Sequence, residues 1–135
     1  GYGLCSSMAK QVFRLDLNPF RISTISRRMA VVALKDKEYY DKMTKDVIEC
    51  RNWFIQEVNK IPGVKAFNSY ANFVFMHLDD YDTQKIKDKL AKAGYLVRLW
   101  TENGHLAMRI TLAPKEIMVK VLELLKETCK SLMEK

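Results

Sequence analysis

Residues 95–114 read YLVRLWTENGHLAMRITLAP, two short apolar runs on either side of a polar turn containing Asn103-Gly104. An Asn-Gly turn between such runs predicts a β-hairpin. A hairpin with an apolar face must find another element to cover it. Each run carries one arginine at its middle, Arg98 between Val97 and Leu99 and Arg109 between Met108 and Ile110. Side chains alternate across a strand. Leu96, Arg98 and Trp100 therefore share one face of the first strand, and Ala107, Arg109 and Thr111 share one face of the second. Each arginine can leave the core without disrupting it. Its bland role is an edge-facing or ion-paired cation. Its functional role is to anchor a carboxylate or phosphate, which the planar guanidinium fork fits.

The rest of the chain supplies partners for this hairpin. VKAFNS and NFVFMHL read as two further strands, with Phe73 and Phe75 expected on one core-facing row. Between them and the hairpin, DDYDTQKIKDKLAKAG predicts a capped helix with Ile86, Leu90 and Ala93 inward and Gly94 just past its end. Pro114 and Glu116 suit the first turn of a last helix, in which Met118, Leu122, Leu125, Cys129 and Leu132 repeat at helical spacing. Upstream, Ser23 can cap a helix bearing Ile25, Met29 and Val32, and Asp36 can cap the next. That second helix carries Met43, Val47, Cys50, Phe54, Val58 and Ile61 as one core face and ends at Pro62-Gly63. The opening GYGLCSS suggests a short strand and SMAKQVFRLD a short helix, interrupted at LNPF. The expectation is an α+β (or α/β) domain. Residues 64–112 supply the sheet, and helices near 36–61, 83–93 and 114–132 pack on one side of it.

Composition narrows the function classes. The 135 residues suffice for one domain with a modest core. With 48% hydrophobic and 29% charged residues the chain reads as globular rather than disordered. No apolar stretch approaches the roughly 18 residues that span a bilayer, and Gly1-Tyr2-Gly3-Leu4 does not resemble a signal peptide. Cys5, Cys50 and Cys129 lack CxxC spacing, so neither a disulfide framework nor a zinc site is expected and a reducing cytoplasm is the default. His77 and His105 have no evident ligand neighbour in the sequence, and no metal is expected. The net charge of +7 favours anionic partners, but the lysines are spread along helix faces rather than gathered in a stripe.

Several segments together resemble a known family. GVKAFNSYANFVFMHL, AGYLVRLW and LAMRITL, with the final amphipathic helix, resemble the C-terminal part of histidinol-phosphate aminotransferases, pyridoxal-phosphate-dependent enzymes of the aspartate aminotransferase fold (fold type I). NPFRIST and ALKDKEYY resemble the entry into the small domain, and the opening Gly-Tyr resembles the dipeptide after the phosphate-binding motif. The resemblance implies that residues 1–20 are the end of a large domain or an inter-domain segment, and that 21–135 form the small domain. It implies that Arg109, in the R-I-T motif, binds the substrate α-carboxylate and that Arg98, in the G-x-x-V-R motif, binds the phosphate or distal group. Ala113 stands where the family commonly has glycine, and Arg21 where it commonly has asparagine.

The family's Schiff-base lysine, the aspartate that pairs with the pyridine nitrogen and most phosphate ligands lie upstream of the matched region. No catalytic or cofactor-binding residue is therefore carried over, and the chain alone is expected to be inactive and to hold no covalent pyridoxal phosphate. Implied partners are an amino acid or amino-alcohol phosphate and a 2-oxo acid, with no membrane and no nucleic acid. Apolar surface near residues 1–35, lacking a large domain to rest on, is expected to cause self-association. The competing reading is a free-standing basic α/β module for an anionic ligand or RNA. NFVFMHL superficially resembles an RNA-recognition strand but lacks the basic-Gly-aromatic-Gly lead.

Overall fold

A computed structural model describes residues 6–9 and 23–133. It divides into two compact units, Gly1–Lys37 and Glu38–Lys135. In the first unit, Ser7, Met8 and Ala9 make a helical turn, with the Ser6 hydroxyl accepting from the Ala9 amide at 3.3 Å. The expected strand over residues 1–5, the rest of the early helix, the LNPF break and the 20/21 boundary lie outside the described residues. Helix α1, Thr24–Lys35, starts where expected: the Ser23 hydroxyl accepts from the Ser26 amide at 3.1 Å. Asp36 closes α1 through its amide, which donates to the carbonyls of Val32 and Ala33 at 3.2 Å. None of the α1 residues is buried, so its apolar stripe of Ile25, Met29 and Val32 is an uncovered surface.

The second unit is built on a four-stranded antiparallel sheet of order β1-β2-β4-β3. The strands are β1 (Lys65–Ala66), β2 (Phe73–His77), β3 (Arg98–Glu102) and β4 (His105–Thr111). The predicted hairpin is β3–β4, with Asn103 at φ 50° and Gly104 at φ 84°, the two positive values a type I′ turn requires. At the other edge, the Asn59 side chain pairs with short β1 as a strand would. Its amide nitrogen donates to the Ala66 carbonyl at 3.3 Å and its oxygen accepts the Ala66 N–H at 2.7 Å. This satisfies backbone groups that an open edge would leave free.

Three helices cover one face of this sheet: α2 (Lys37–Val58), α3 (Thr83–Lys92) and α4 (Lys115–Met133). Phe54 and Val58 from α2, Ile86 and Leu90 from α3, and Met118, Leu122 and Leu125 from α4 share a core with Val74, Met76, Met108 and Ile110 of the sheet. The Asp82 carboxylate caps α3 by accepting from the Lys85 amide at 3.1 Å. Gly94 follows that helix at φ 89°, a left-handed value that suits a helix stop.

Several core assignments are corrected. Ala93 is exposed, because α3 ends at Lys92 and the chain turns there. On α2 the buried face begins only at Cys50, with Met43 exposed and Val47 half-buried. A helix of 22 residues is about 33 Å long, and the core underlies only its C-terminal half. Ile61 is buried but lies beyond the helix end at Val58. Cys50 and Cys129 are buried free thiols, and burial pushes the Cys129 thiol up to about 11. Among the described residues, no helix is long and apolar enough to cross a membrane.

Candidate functional site

The core row of β2 is Val74, Met76 and Leu78, all fully buried, so the alternate residues Phe73, Phe75 and His77 face away from the helices. Phe73 and Phe75 are thus half-buried residues of the opposite sheet face rather than core, a one-residue shift in the alternation. The register decides what joins them there. Phe75 pairs with Arg109, and Arg109 pairs with Arg98. One row along, His77 pairs with Ala107, and Ala107 with Trp100. Residues directly opposite each other in an antiparallel ladder project to the same side. The two arginines that the sequence placed in separate strands are therefore neighbours across one ladder step.

Like charges directly opposite in a sheet are destabilising. Here aromatic rings partly compensate. The Trp100 ring is near both guanidiniums, with the Arg98 carbon 6.0 Å and the Arg109 carbon 5.2 Å from its centroid, and Arg109 also lies 5.1 Å from the Phe73 ring centroid. Such contacts are worth about 0.5–1 kcal/mol at exposed sites. A guanidinium lying over a ring keeps the N–H donors of its fork available at its edges. Among the described residues neither arginine is ion-paired with a carboxylate. Arg109 is half-buried and Arg98 exposed, so the pair forms a graded cationic row.

The same face carries a group that sequence reasoning missed. His77 and His105, treated above as lacking ligand neighbours, are stacked with ring centroids 4.6 Å apart. His105 Nδ1 lies 2.7 Å from an Asp79 carboxylate oxygen. Asp79 also accepts the Leu106 amide at 2.7 Å. The hydrogen bond with His105, followed by that amide, holds the Asp79 carboxyl below its ordinary range. The signal was present as His77-x-Asp79, two positions on one face of an extended segment. Its meaning depended on the cross-strand register that adds His105.

Comparison with known proteins agrees with this fold. The model of the family described as aminotransferase class I and II matches residues 1–124. Histidinol-phosphate aminotransferase of Clostridium botulinum (strain 657 / Type Ba4) is 37% identical over 113 residues, covering 82% of this chain and 31% of that enzyme. Histidinol-phosphate aminotransferase 2 of Archaeoglobus fulgidus is 29% identical over 129 residues, 94% of this chain and 37% of that protein. Among solved structures, histidinol-phosphate aminotransferase of Clostridium acetobutylicum superposes with a TM-score of 0.77 at 26% identity, over 88% of this chain and 37% of that one. The Sinorhizobium meliloti enzyme, solved in complex with pyridoxal-5'-phosphate, gives 0.75 at 26% identity, over 90% of this chain and 34% of that one. The chain thus spans about a third of the length of these relatives. Its helices on one side of an antiparallel sheet are a fold it shares with these fold type I aminotransferases. On the family match over nearly its whole length, the chain belongs to the class I and II aminotransferases.

Proposed function

We propose that this chain is the substrate-anchoring small domain of a cytoplasmic, pyridoxal-phosphate-dependent aminotransferase resembling histidinol-phosphate aminotransferase. Arg109 binds the substrate α-carboxylate and Arg98 the phosphate or other distal anion. Residues 21–135 are the domain and residues 1–20 the segment that joins it to the rest of the enzyme. The substrates are an amino acid or amino-alcohol phosphate and a 2-oxo acid. The observation that carries this reading is the direct opposition of Arg98 and Arg109 without a protein carboxylate between them. A fold tolerates two facing cations at little net cost when a dianion joins them.

Pyridoxal phosphate, when bound, supplies the carbonyl and the electron sink for amino transfer. The arginine row offers donors for anionic substrate ends, and its in-register neighbours, Phe75 and Arg98 beside Arg109, provide no acid for the pyridine nitrogen. What the chain contributes is orientation: two charge-assisted contacts fix two ends of one small molecule, removing much of its rotational freedom before reaction.

The test is kinetic and uses the full-length enzyme that carries this chain. Arg109→Ala is expected to lower kcat/KM for every amino-acid substrate by about ten- to a hundredfold, the loss of one charged hydrogen-bonding contact. Arg98→Ala is expected to harm phosphorylated substrates far more than unphosphorylated ones. Neither should shift melting much, since both side chains lie off the core rows. Shifted melting with unchanged kinetics would overturn the reading. Equal losses on both substrate types for Arg98→Ala would remove the phosphate role alone. The 135-residue chain by itself is expected to turn over nothing.

A second reading gains one observation. Phe73 and Phe75 are not core residues and lie on the face that bears the arginines, as a free-standing module for an anionic ligand or RNA would need. Saturable, salt-dependent RNA binding lost in Arg98→Ala would favour it.

A further inference from the structure

The antiparallel ladder between β2 and β4 continues past its last paired residues. Leu78 donates its N–H to the Leu106 carbonyl at 2.9 Å, one step beyond the pair His77↔Ala107. That extra step brings Asp79 opposite His105, and the strand period puts His77, Asp79 and His105 on one side. One ligand atom from each of the three lies within 4.8 Å of the others. The Leu106 amide orients the Asp79 carboxylate. Phe67 and Phe75 pack edge-on against the His77 ring, at 4.7 Å and 5.8 Å between centroids, so its position is held by packing. The His105 and Asp79 side chains are 52% and 44% exposed, which lets an ion enter without opening the core. Lys65 pairs with His77 on the outer side, but its ammonium lies over the Phe67 ring.

We propose that His77, Asp79 and His105 form a binding site for a divalent first-row transition ion, zinc being the natural probe. Two imidazoles and one carboxylate are the donor set such ions take, whereas magnesium and calcium take oxygen ligands. Zinc bonds nitrogen and carboxylate oxygen at about 2.0–2.2 Å, so tetrahedral ligand atoms lie roughly 3.3 Å apart. The longest side of the present triangle, at most 4.8 Å, closes by up to about 1.5 Å for that geometry, while the 2.7 Å Asp79–His105 side opens slightly. The two imidazoles are nearly parallel, 14° apart, and their in-plane lone pairs do not converge on one point. Binding therefore rotates the exposed His105 ring out of the stack and replaces its hydrogen bond to Asp79 with a shared metal. The backbone ladder need not move. Three protein ligands leave a coordination position open for water or an outside ligand.

This site lies on the same face as the arginine row and shares no residue with it: His77 stands one same-face step from Phe75, the partner of Arg109. His105 precedes Arg109 by four residues on one strand, about 14 Å along the sheet. Its occupancy does not rest on the substrate reading.

Calorimetric titration of the 135-residue chain with zinc tests the proposal. The expected result is one saturable site per chain, weakened more than tenfold by His105→Ala, by Asp79→Asn and by His77→Phe. The last retains an aromatic ring against Phe67 and Phe75 while removing the donor nitrogen. Circular dichroism of each variant separates lost binding from lost folding. Cobalt substitution should show ligand-field bands without the intense thiolate charge-transfer band that ligation by Cys50 or Cys129 would produce. Absence of saturable zinc binding in the micromolar range would overturn the proposal. So would binding that persists unchanged in the folded His77→Phe and His105→Ala variants.

Discussion

Arg98 and Arg109 are the residues on which the functional reading turns, and their chemistry is set by what surrounds them rather than by what they are. Each sits on the off-core side of its strand, as alternation allowed, but only the register β3–β4 makes them partners. Glu57 shows the same dependence on neighbours. Its carboxylate accepts from Lys126 at 2.8 Å and from Lys60, linking α2 to α4. The Lys126 bond first, and the Lys60 bond second, lower its pKa from the ordinary 4.5 to about 2. A carboxyl whose folded pKa is depressed contributes stability above its unfolded pKa and loses it as pH falls through the folded one. Glu57 should therefore stabilise the fold fully above pH 4.5 and progressively less down to pH 2. In Glu57→Gln, denaturant melts across that window should change less with pH than in the parent chain. An identical acid limb in both would show that the lysine contacts do not persist in solution.

At the scale of elements, the hairpin and the two flanking helices were the most legible parts. Their signals are local: an Asn-Gly pair, an aspartate cap, a proline at a helix start. Gly104 takes φ 84° with nothing within 4 Å of where a Cβ would stand, so its requirement is conformational and not steric. Gly104→Ala should accordingly cost about 1 kcal/mol, the penalty for placing a side chain at positive φ. Chemical denaturation would read it as a shift in midpoint at unchanged m-value. Gly63, at φ 71°, adds a clash, since a Cβ there meets the Asp80 carboxylate oxygen at 2.7 Å. Gly63→Ala should cost more than Gly104→Ala, and the reverse order would contradict the geometry. The upper half of α2 was the least legible element, because Met43 and Val47 keep the helical spacing of a core face where no sheet lies beneath them.

As a whole molecule, the chain corresponds to about a third of the length of the aminotransferases it resembles. On α1, Ile25, Met29, Val32 and Leu34 are 66–75% exposed. Exposed apolar patches of several hundred Å² commonly mark interaction surfaces. The isolated chain is expected to self-associate, with Met29→Lys shifting sedimentation toward monomer at unchanged helicity. A strictly monomeric parent chain at high concentration would contradict this.

What the sequence by itself determined was local and periodic. The element order, the Asn-Gly turn, the cap at Ser23 and the off-core position of both arginines follow from short-range sterics and from side-chain period. The family resemblance also lay in contiguous motifs and could be read from them. Only the tertiary structure decided which residues meet. Strand order and register join Arg98 to Arg109 and His105 to Asp79 across gaps that no helical or strand period spans. The extent of the sheet decides where the α2 stripe becomes core. The physical reason is the same in both cases: a side chain's direction is fixed by its own backbone, whereas its partner is fixed by the free energy of packing the whole domain.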